Sequence, residues 1–521
     1  MIHDKVNPVT PSTSTPSSRS ESPMDDPKPS DPIEKLPQGR KYGLLAIFSL
    51  ALFIDIWCWS AFFIFTGPIS DDLQVPFSEQ SWVITSYAVT FAAFLLFWGR
   101  VSDLYSAKPV FSYGFILLGI TNLVISFVPD KYSFFVLRAI SGIAGACLVP
   151  AAFRLIVRVF EPEELNKAFT LYGLSGPLGN VTGSIVAGFI QYIPNGGQMS
   201  AWRWFFRILC IMILPVAVGS LYLIPNSKGS NADTESKWKR LDLLGAGSML
   251  AAIVLLILGL TLGASYGWKT PGFLVPFLLS WALFGFFFYW ETVLPEGYAI
   301  FPTKTWRIPN FPILIIFALF VYGWWAVNNL AFAGIFMSVR GEKAIVAAVR
   351  LLPQGVAAAL MAIVLTLYPV LSVKPRVPIV VGGVLGIVGY ILFTRSGTQV
   401  GADYWRYLFP AFLIGSAGNF TMFNATSVGV MISVPPEMAG VAGAVLQVAF
   451  QIGSAVALAV QSGLETINPG SISNFQNVQA SFYFEMGWEI VWVIVFLLFY
   501  RPKKTPTPGG AAEEGVLAIV A

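Results

Sequence analysis

Two ionisable side chains sit where an ion is expensive to keep. Asp55, in FIDIWCWSAFF, and Arg138, in FFVLRAISGIAG, each interrupt an apolar run long enough to cross a bilayer. A charge in such a run marks a functional site by default, because hydrocarbon offers it no solvation. Asp55 lies about 13 residues into its run, roughly 20 Å at helical rise, and Arg138 about five residues, roughly 8 Å, in from the other side. In a core about 30 Å thick those depths nearly coincide. The two can pair, or exchange partners as a proton comes and goes, so the expected chemistry is proton transfer. Histidine and cysteine offer none. His3, the only histidine, lies in a polar tail, and Cys58, Cys147 and Cys210 fall in apolar runs without metal-ligand spacing. No cofactor or metal is expected, and no nucleophile–base pair suggests an enzyme.

Two further groups concern motion rather than chemistry. GLSGPLGNVTGS places Gly173, Gly176, Gly179 and Gly183 around Pro177. Such a run would ruin a soluble helix, but in a bilayer it lets helices touch backbone to backbone and bend. Gly142 and Gly145 repeat the small-residue pattern beside Arg138. The connector GRVSDLYSAK holds Gly99, where a helix end can be approached closely, and Asp103, placed to cap the next helix or pair with a base. Arg100 and Lys108 hold that loop on the cytoplasmic side.

These groups are positioned by membrane helices. Of the 521 residues, 55% are hydrophobic and 12% charged, and a net charge of +4 gives no sign of nucleic-acid binding. Mean hydropathy is +0.68, outside the range of soluble chains. Fourteen spans are expected, near 42–66, 81–98, 109–128, 133–155, 167–190, 204–224, 243–262, 273–293, 310–337, 344–369, 377–395, 404–431, 438–463 and 483–500. The long ninth and twelfth are expected to tilt or to include loop. Residues 1–40, rich in Ser, Thr and Pro, read as a disordered cytoplasmic tail. Basic residues gather in alternate loops (Arg40/Lys41, Arg100/Lys108, Arg154/Arg158/Lys167, Lys237/Lys239/Arg240, Lys304/Arg307, Lys374/Arg376, Arg501/Lys503/Lys504), leaving scattered single charges such as Lys131 and Lys269 opposite. Both termini are therefore expected in the cytoplasm, as an even number of spans requires. Asn180, Asn419 and Asn424 begin glycosylation sequons, yet they lie inside spans and read as polar groups facing an interior. With Trp57, Trp59, Tyr322, Trp325, Asn328 and Gln447, Asn180 and Asn419 are the expected lining of a substrate cavity. Aromatic walls with few charges suit an amphipathic or weakly polar ligand.

Together these stretches resemble the major facilitator superfamily, and within it the fungal fourteen-helix drug:proton antiporters. Gly99, Asp103 and Lys108 match the superfamily's loop 2–3 signature, although Leu104 and Ser106 stand where a base and a glycine are usual. Arg138 and Gly142 match the helix 4 motif, and Gly173, Gly176, Pro177, Gly179 and Gly183 the helix 5 antiporter motif. Ser81-Trp82, Tyr87 and Trp202-Arg203-Trp204 are also typical. Asp55 stands where the family carries an acidic residue, with Ile56-Trp57 in place of the usual threonine.

The resemblance implies an all-α polytopic major facilitator fold of 12+2 helices. Its parts would be a tail at 1–40, a six-helix bundle at 41–225, a linker and two extra helices at 226–300, a second bundle at 301–501 and a tail at 502–521. It also implies a monomeric proton-coupled exporter of small organic molecules in the plasma membrane rather than the vacuole. There Asp55 and Arg138 would carry the proton, the loop 2–3 residues would gate the cytoplasmic side, and helix 5 would pack against the opposite half. Relatives that move boron or ammonium make small inorganic or nitrogenous solutes the alternative. A nutrient sensor would need a longer cytoplasmic extension than the tails provide.

Overall fold

Every expected span is a helix among the described residues. The computed structural model describes residues 36–501 apart from 77–78, 80–81, 194–195, 226–239, 296–297, 301–302, 369–370, 372–373, 398–400 and 436–437. Most of both tails, Ser81, and Lys237 and Lys239 of the expected linker thus lie outside the described residues. The fourteen long helices are α1 (Gln38–Asp72), α2 (Trp82–Leu104), α3 (Ala107–Ile125), α4 (Lys131–Val159), α5 (Leu165–Ile190), α6 (Ala201–Leu223), α7 (Leu243–Tyr266), α8 (Pro271–Val293), α9 (Phe311–Val339), α10 (Ala344–Leu367), α11 (Arg376–Arg395), α12 (Phe409–Ser433), α13 (Ala439–Leu464) and α14 (Phe475–Phe499).

Twelve of these are long and apolar enough to cross a membrane by composition alone. The other two, α5 and α12, are diluted by Gly, Ser, Thr and Asn. Both are enclosed by neighbouring helices, α5 by α1, α10 and α12, and α12 by α9, α10 and α11. They can be polar because they meet protein rather than lipid.

Local departures from the expected spans have local causes. Pro150 has no N–H to give the Ala146 carbonyl, and α4 breaks one residue later at Cys147. The ninth and twelfth spans contain no loop. Instead α9 ends in a π-helical turn, Ile335–Val339, and another, Tyr404–Leu408, leads into α12. α14 begins eight residues before the expected 483, within a polar stretch. Asn474 caps it by accepting from the Gln476 N–H, and Asn477 donates to the carbonyls of Glu465 and Asn468.

Helix pairing reveals an internal repeat. α1 packs on α5, α2 on α4 and α3 on α6; eight helices later α9 packs on α13, α10 on α12 and α11 on α14. α7 and α8 form a hairpin outside both sets, with α7 against α2 and α13. The two sets of six meet through α5–α10, α2–α13 and α4–α13. Fourteen crossings bring both ends of the described chain to one face, where Asn310 hydrogen-bonds the Arg501 backbone. That face is termed terminal, the other distal. The distal face holds more than scattered single bases. Arg340 and Arg350 share Glu342 there, and Arg203 pairs with Asp72, which also accepts from the Trp202 indole.

Candidate functional site

Asp55 is the midpoint of α1, only 5% exposed. Its Oδ1 accepts a 2.7 Å hydrogen bond from the Tyr87 hydroxyl of α2. The glycines of α4 build this contact. A methyl on Gly142 would strike the α2 backbone around Tyr87, and one on Gly145 would strike the Tyr87 hydroxyl. Their absence opens the slot through which Tyr87 reaches α1. Arg138, on the same helix, is 1% exposed and forms no ion pair with Asp55. Its guanidinium lies 4.0 Å from the Phe62 ring centroid and 4.8 Å from that of Tyr87. The expected direct pair is therefore a relay, with one face of Tyr87 on the cation and its hydroxyl on the carboxylate. Two aromatic faces are what make a guanidinium tolerable at this depth.

Asp55 borders a narrow central cavity between the two sets of helices. Ile56 and Trp59 come from α1, Ala88 and Phe91 from α2, Gly173, Gly176, Pro177 and Asn180 from α5. The second set contributes Tyr322 and Trp325 of α9, Phe423 of α12, and Gln451 and Ser454 of α13. Of the expected lining, Trp59, Asn180, Tyr322 and Trp325 are present. Trp57 is not: it turns into the first bundle and stacks on Phe205 of α6 at 4.8 Å. Gln447, 2% exposed, stands behind the wall beside Tyr322. Asn328 and Asn419 are fully buried within the second bundle, away from the cavity. Residues one helical turn apart share a face, so placing Asp55 in the wall puts Trp59 there and turns Trp57 aside.

The glycine run of α5 faces two ways. A methyl on Gly179 would lie 2.5 Å from the Phe53 carbonyl oxygen, and one on Gly183 would lie 2.7 Å from that of Trp57. Both therefore seat α5 on α1 within its own bundle, while α5 also packs against α10 and α12 of the opposite set, as expected of helix 5. Of the motif's glycines, Gly173 meets the other set, at the Phe423 ring, and the Pro177 carbonyl faces Gly355 of α10. The α5–α10 seam relies on glycines outside the motif, Gly188 against Ile345 and Gly355 against Val181. Asn329 of α9 donates to Asn180 across the same interface at 3.3 Å.

Toward the terminal face, Gly99 lets α2 approach α13, where a methyl would lie 2.7 Å from the Ala444 Cβ. Asp103 forms a buried ion pair with Arg154 of α4 and accepts from the Val441 N–H at 2.8 Å. Met438, the residue before α13, has no side chain to cap that helix. Asp103 does so from the other bundle rather than capping α3. Arg100 donates to the Arg240 carbonyl at 3.1 Å, tying the loop to the base of the α7–α8 hairpin. Lys108 lies half-buried in the first turn of α3. At the same face Lys41 and Gln38 of α1 both hydrogen-bond Glu164 at 2.7 Å and hold its carboxyl down at about 2.

Losing a cap costs about 1 kcal/mol, and breaking a buried ion pair roughly 3–5 kcal/mol. Asp103→Ala is accordingly expected to part α2 from α13. The native cysteines are buried, so a cysteine placed at Ala444 should report the change by reacting much faster with a membrane-impermeant maleimide. Unchanged labelling would show that Asp103 does not hold this contact.

Comparison with known proteins follows the same geometry. A family model described as Major Facilitator Superfamily matches residues 48–243. The proton:xylose symporter XylE shares the fold over 89% of this chain and 97% of its own, with a TM-score of 0.63 at 12% identity. Over residues 48–243 the chain resembles the major facilitator superfamily, and it shares the fold of that superfamily's solved structures. Members at greater sequence likeness include the multidrug transporter mfsC of Aspergillus fumigatus, 25% identical over 90% of this chain and 89% of that one. The low affinity ammonium transporter of Saccharomyces cerevisiae is 23% identical over 82% of each. The family match and these relatives indicate a transporter rather than an enzyme.

Sequence reasoning passed over Glu485 and Glu489 of α14, both 1% exposed or less. The signal was present in FEMGWEI, two carboxylates one turn apart in the last apolar run. Phe423 carried no such signal, being one phenylalanine among 43.

Proposed function

We propose that the protein is a proton-coupled exporter of small, weakly polar organic molecules, working by alternating access around the central cavity. The observation that carries this reading is a lone carboxylate, Asp55, in the wall of an otherwise aromatic cavity shared by both sets of helices. Proton and substrate would meet there. Asp55 would take up and release the proton, with Tyr87 and Arg138 supporting the charged form. The α5 glycines would keep α1 and α5 moving as one body, while Gly99 and Asp103 latch the cytoplasmic side. Export is favoured by the resemblance of the helix 5 run to the antiporter motif, and the multidrug relative supports an organic cargo. The terminal face is assigned to the cytoplasm because more of the basic residues lie on it. The functional unit would be a monomer in the plasma membrane, with residues 41–225 and 301–501 as its two bundles and 226–300 between them.

Ammonium or borate transport is the second reading, supported by the yeast relative. The aromatic walls formed by Trp59, Tyr322, Trp325 and Phe423 favour the organic cargo. Purified protein in liposomes separates the readings. Under an imposed pH gradient, azole-like and other planar toxins should move against their concentration gradients while ammonium analogues and borate should not. Uphill movement of ammonium alone would replace the first reading with the second.

A further inference from the structure

The α7–α8 hairpin leaves a gap. α8 packs on α7 but stands off from α9 and α14, and between them lies a cavity of about 560 Å³. Its walls are apolar and aromatic, including Phe277, Trp281 and Phe284 of α8 and Trp488 and Trp492 of α14. A single ionisable side chain lines it. Glu485 of α14 is 1% exposed, and neither of its carboxylate oxygens has a hydrogen-bond partner among the described residues.

The backbone around Glu485 accommodates a carboxylate. Gly323 of α9 lies beside it, and a methyl there would stand 3.1 Å from Oε2. One turn on, Glu489 is equally buried and lies against Gly386 of α11. Tyr390 of α11 is the titratable neighbour of both, and no Lys or Arg among the described residues pairs with either. Carboxylates this desolvated, with no cation from the protein, need one from elsewhere to be held as ions.

We propose that this lateral cavity is a second ligand site, and that it takes a hydrophobic organic cation with Glu485 as counter-ion. Aromatic faces attract a cation and a single carboxylate fixes its charge, so walls and acid select the same ligand. A lipid chain would fill the space but leave the acid unanswered, and an anion would be repelled. The outer surface of α8 is exposed along Leu274, Leu278 and Tyr289. A molecule dissolved in the bilayer can therefore enter sideways, past the one helix that has few neighbours. The inserted pair gains a role as the outer wall of a binding site. The inference does not depend on how Asp55 works.

Binding of radiolabelled tetraphenylphosphonium to the purified full-length protein tests it. Saturable binding is expected that tetraphenylborate and added phospholipid do not displace. Glu485→Gln should weaken it about tenfold. Val456→Trp, which adds bulk to the cavity lining and keeps the carboxylate, should weaken it as much and carries the test should Glu485→Gln not fold. Binding unaffected by both changes would overturn the proposal, as would displacement by phospholipid. Loss on Asp55→Asn with no loss on Glu485→Gln would place the cation in the central cavity and overturn it too.

Discussion

Asp55→Asn is expected to abolish uphill transport while leaving substrate binding within about threefold of the native protein, under 1 kcal/mol. The substitution is nearly isosteric, and an amide oxygen can still accept from Tyr87, whose hydroxyl lies 2.7 Å from Oδ1. The packing that shapes the cavity should survive. What disappears is the ability to exchange a proton. With a gradient of one pH unit, each coupled proton supports about tenfold accumulation, the equivalent of ~1.4 kcal/mol. The native protein in liposomes should reach at least that ratio and the variant should stop at equality. Tyr87→Phe should act in the same direction but less strongly, because it removes the donor and keeps the ring on Arg138. Uphill transport preserved in Asp55→Asn would remove Asp55 from the coupling step.

The second large effect concerns stability and separates neighbouring glycines of one motif. Gly179→Ala is expected to destabilise the protein by about 1–3 kcal/mol, seen as a lower temperature of aggregation in detergent. Its new methyl would meet the Phe53 carbonyl, a backbone atom that cannot turn aside. Gly183→Ala should behave alike, against the Trp57 carbonyl. Gly176→Ala should be tolerated, because its methyl would meet only the Leu52 and Ile56 side chains at 3.8 and 3.9 Å. Equal losses at Gly176 and Gly179 would mean that the run acts through helix propensity or bending rather than through its seat on α1.

Sequence alone reached most of the fold, for a physical reason. A span must be long and apolar to cross hydrocarbon, so length and hydropathy reveal it. Even α5 and α12, too polar to qualify by composition, were legible as segments between loops. Where a helix began in polar residues the signal failed. The first turns of α14 are held by Asn474, which caps the Gln476 N–H, and by Asn477, whose partners lie in the segment before the helix.

The site was legible in part. Asp55 and Arg138 stood out because charge in an apolar run is rare, and depth placed them at one level. Depth does not give rotation about the helix axis, so Tyr87 standing between them was not foreseen. Nor was the turning of Trp57 toward Phe205. The glycine run was legible as a packing surface but not for its partner, since a glycine records closeness without naming the neighbour. Asp103 likewise read as a cap or an ion-pair partner. It is both, and the helix that it caps begins more than 330 residues later.

The central claim is that Asp55 exchanges a proton as substrate binds, and proton release measures this directly. Purified protein in weakly buffered detergent solution, scanned across neutral pH with an indicator dye, is mixed with a compound that it transports. The account predicts release of about one proton per protein on binding, as linkage between the two ligands requires. It predicts none from Asp55→Asn, which should still bind. Equal proton release from both proteins would contradict it.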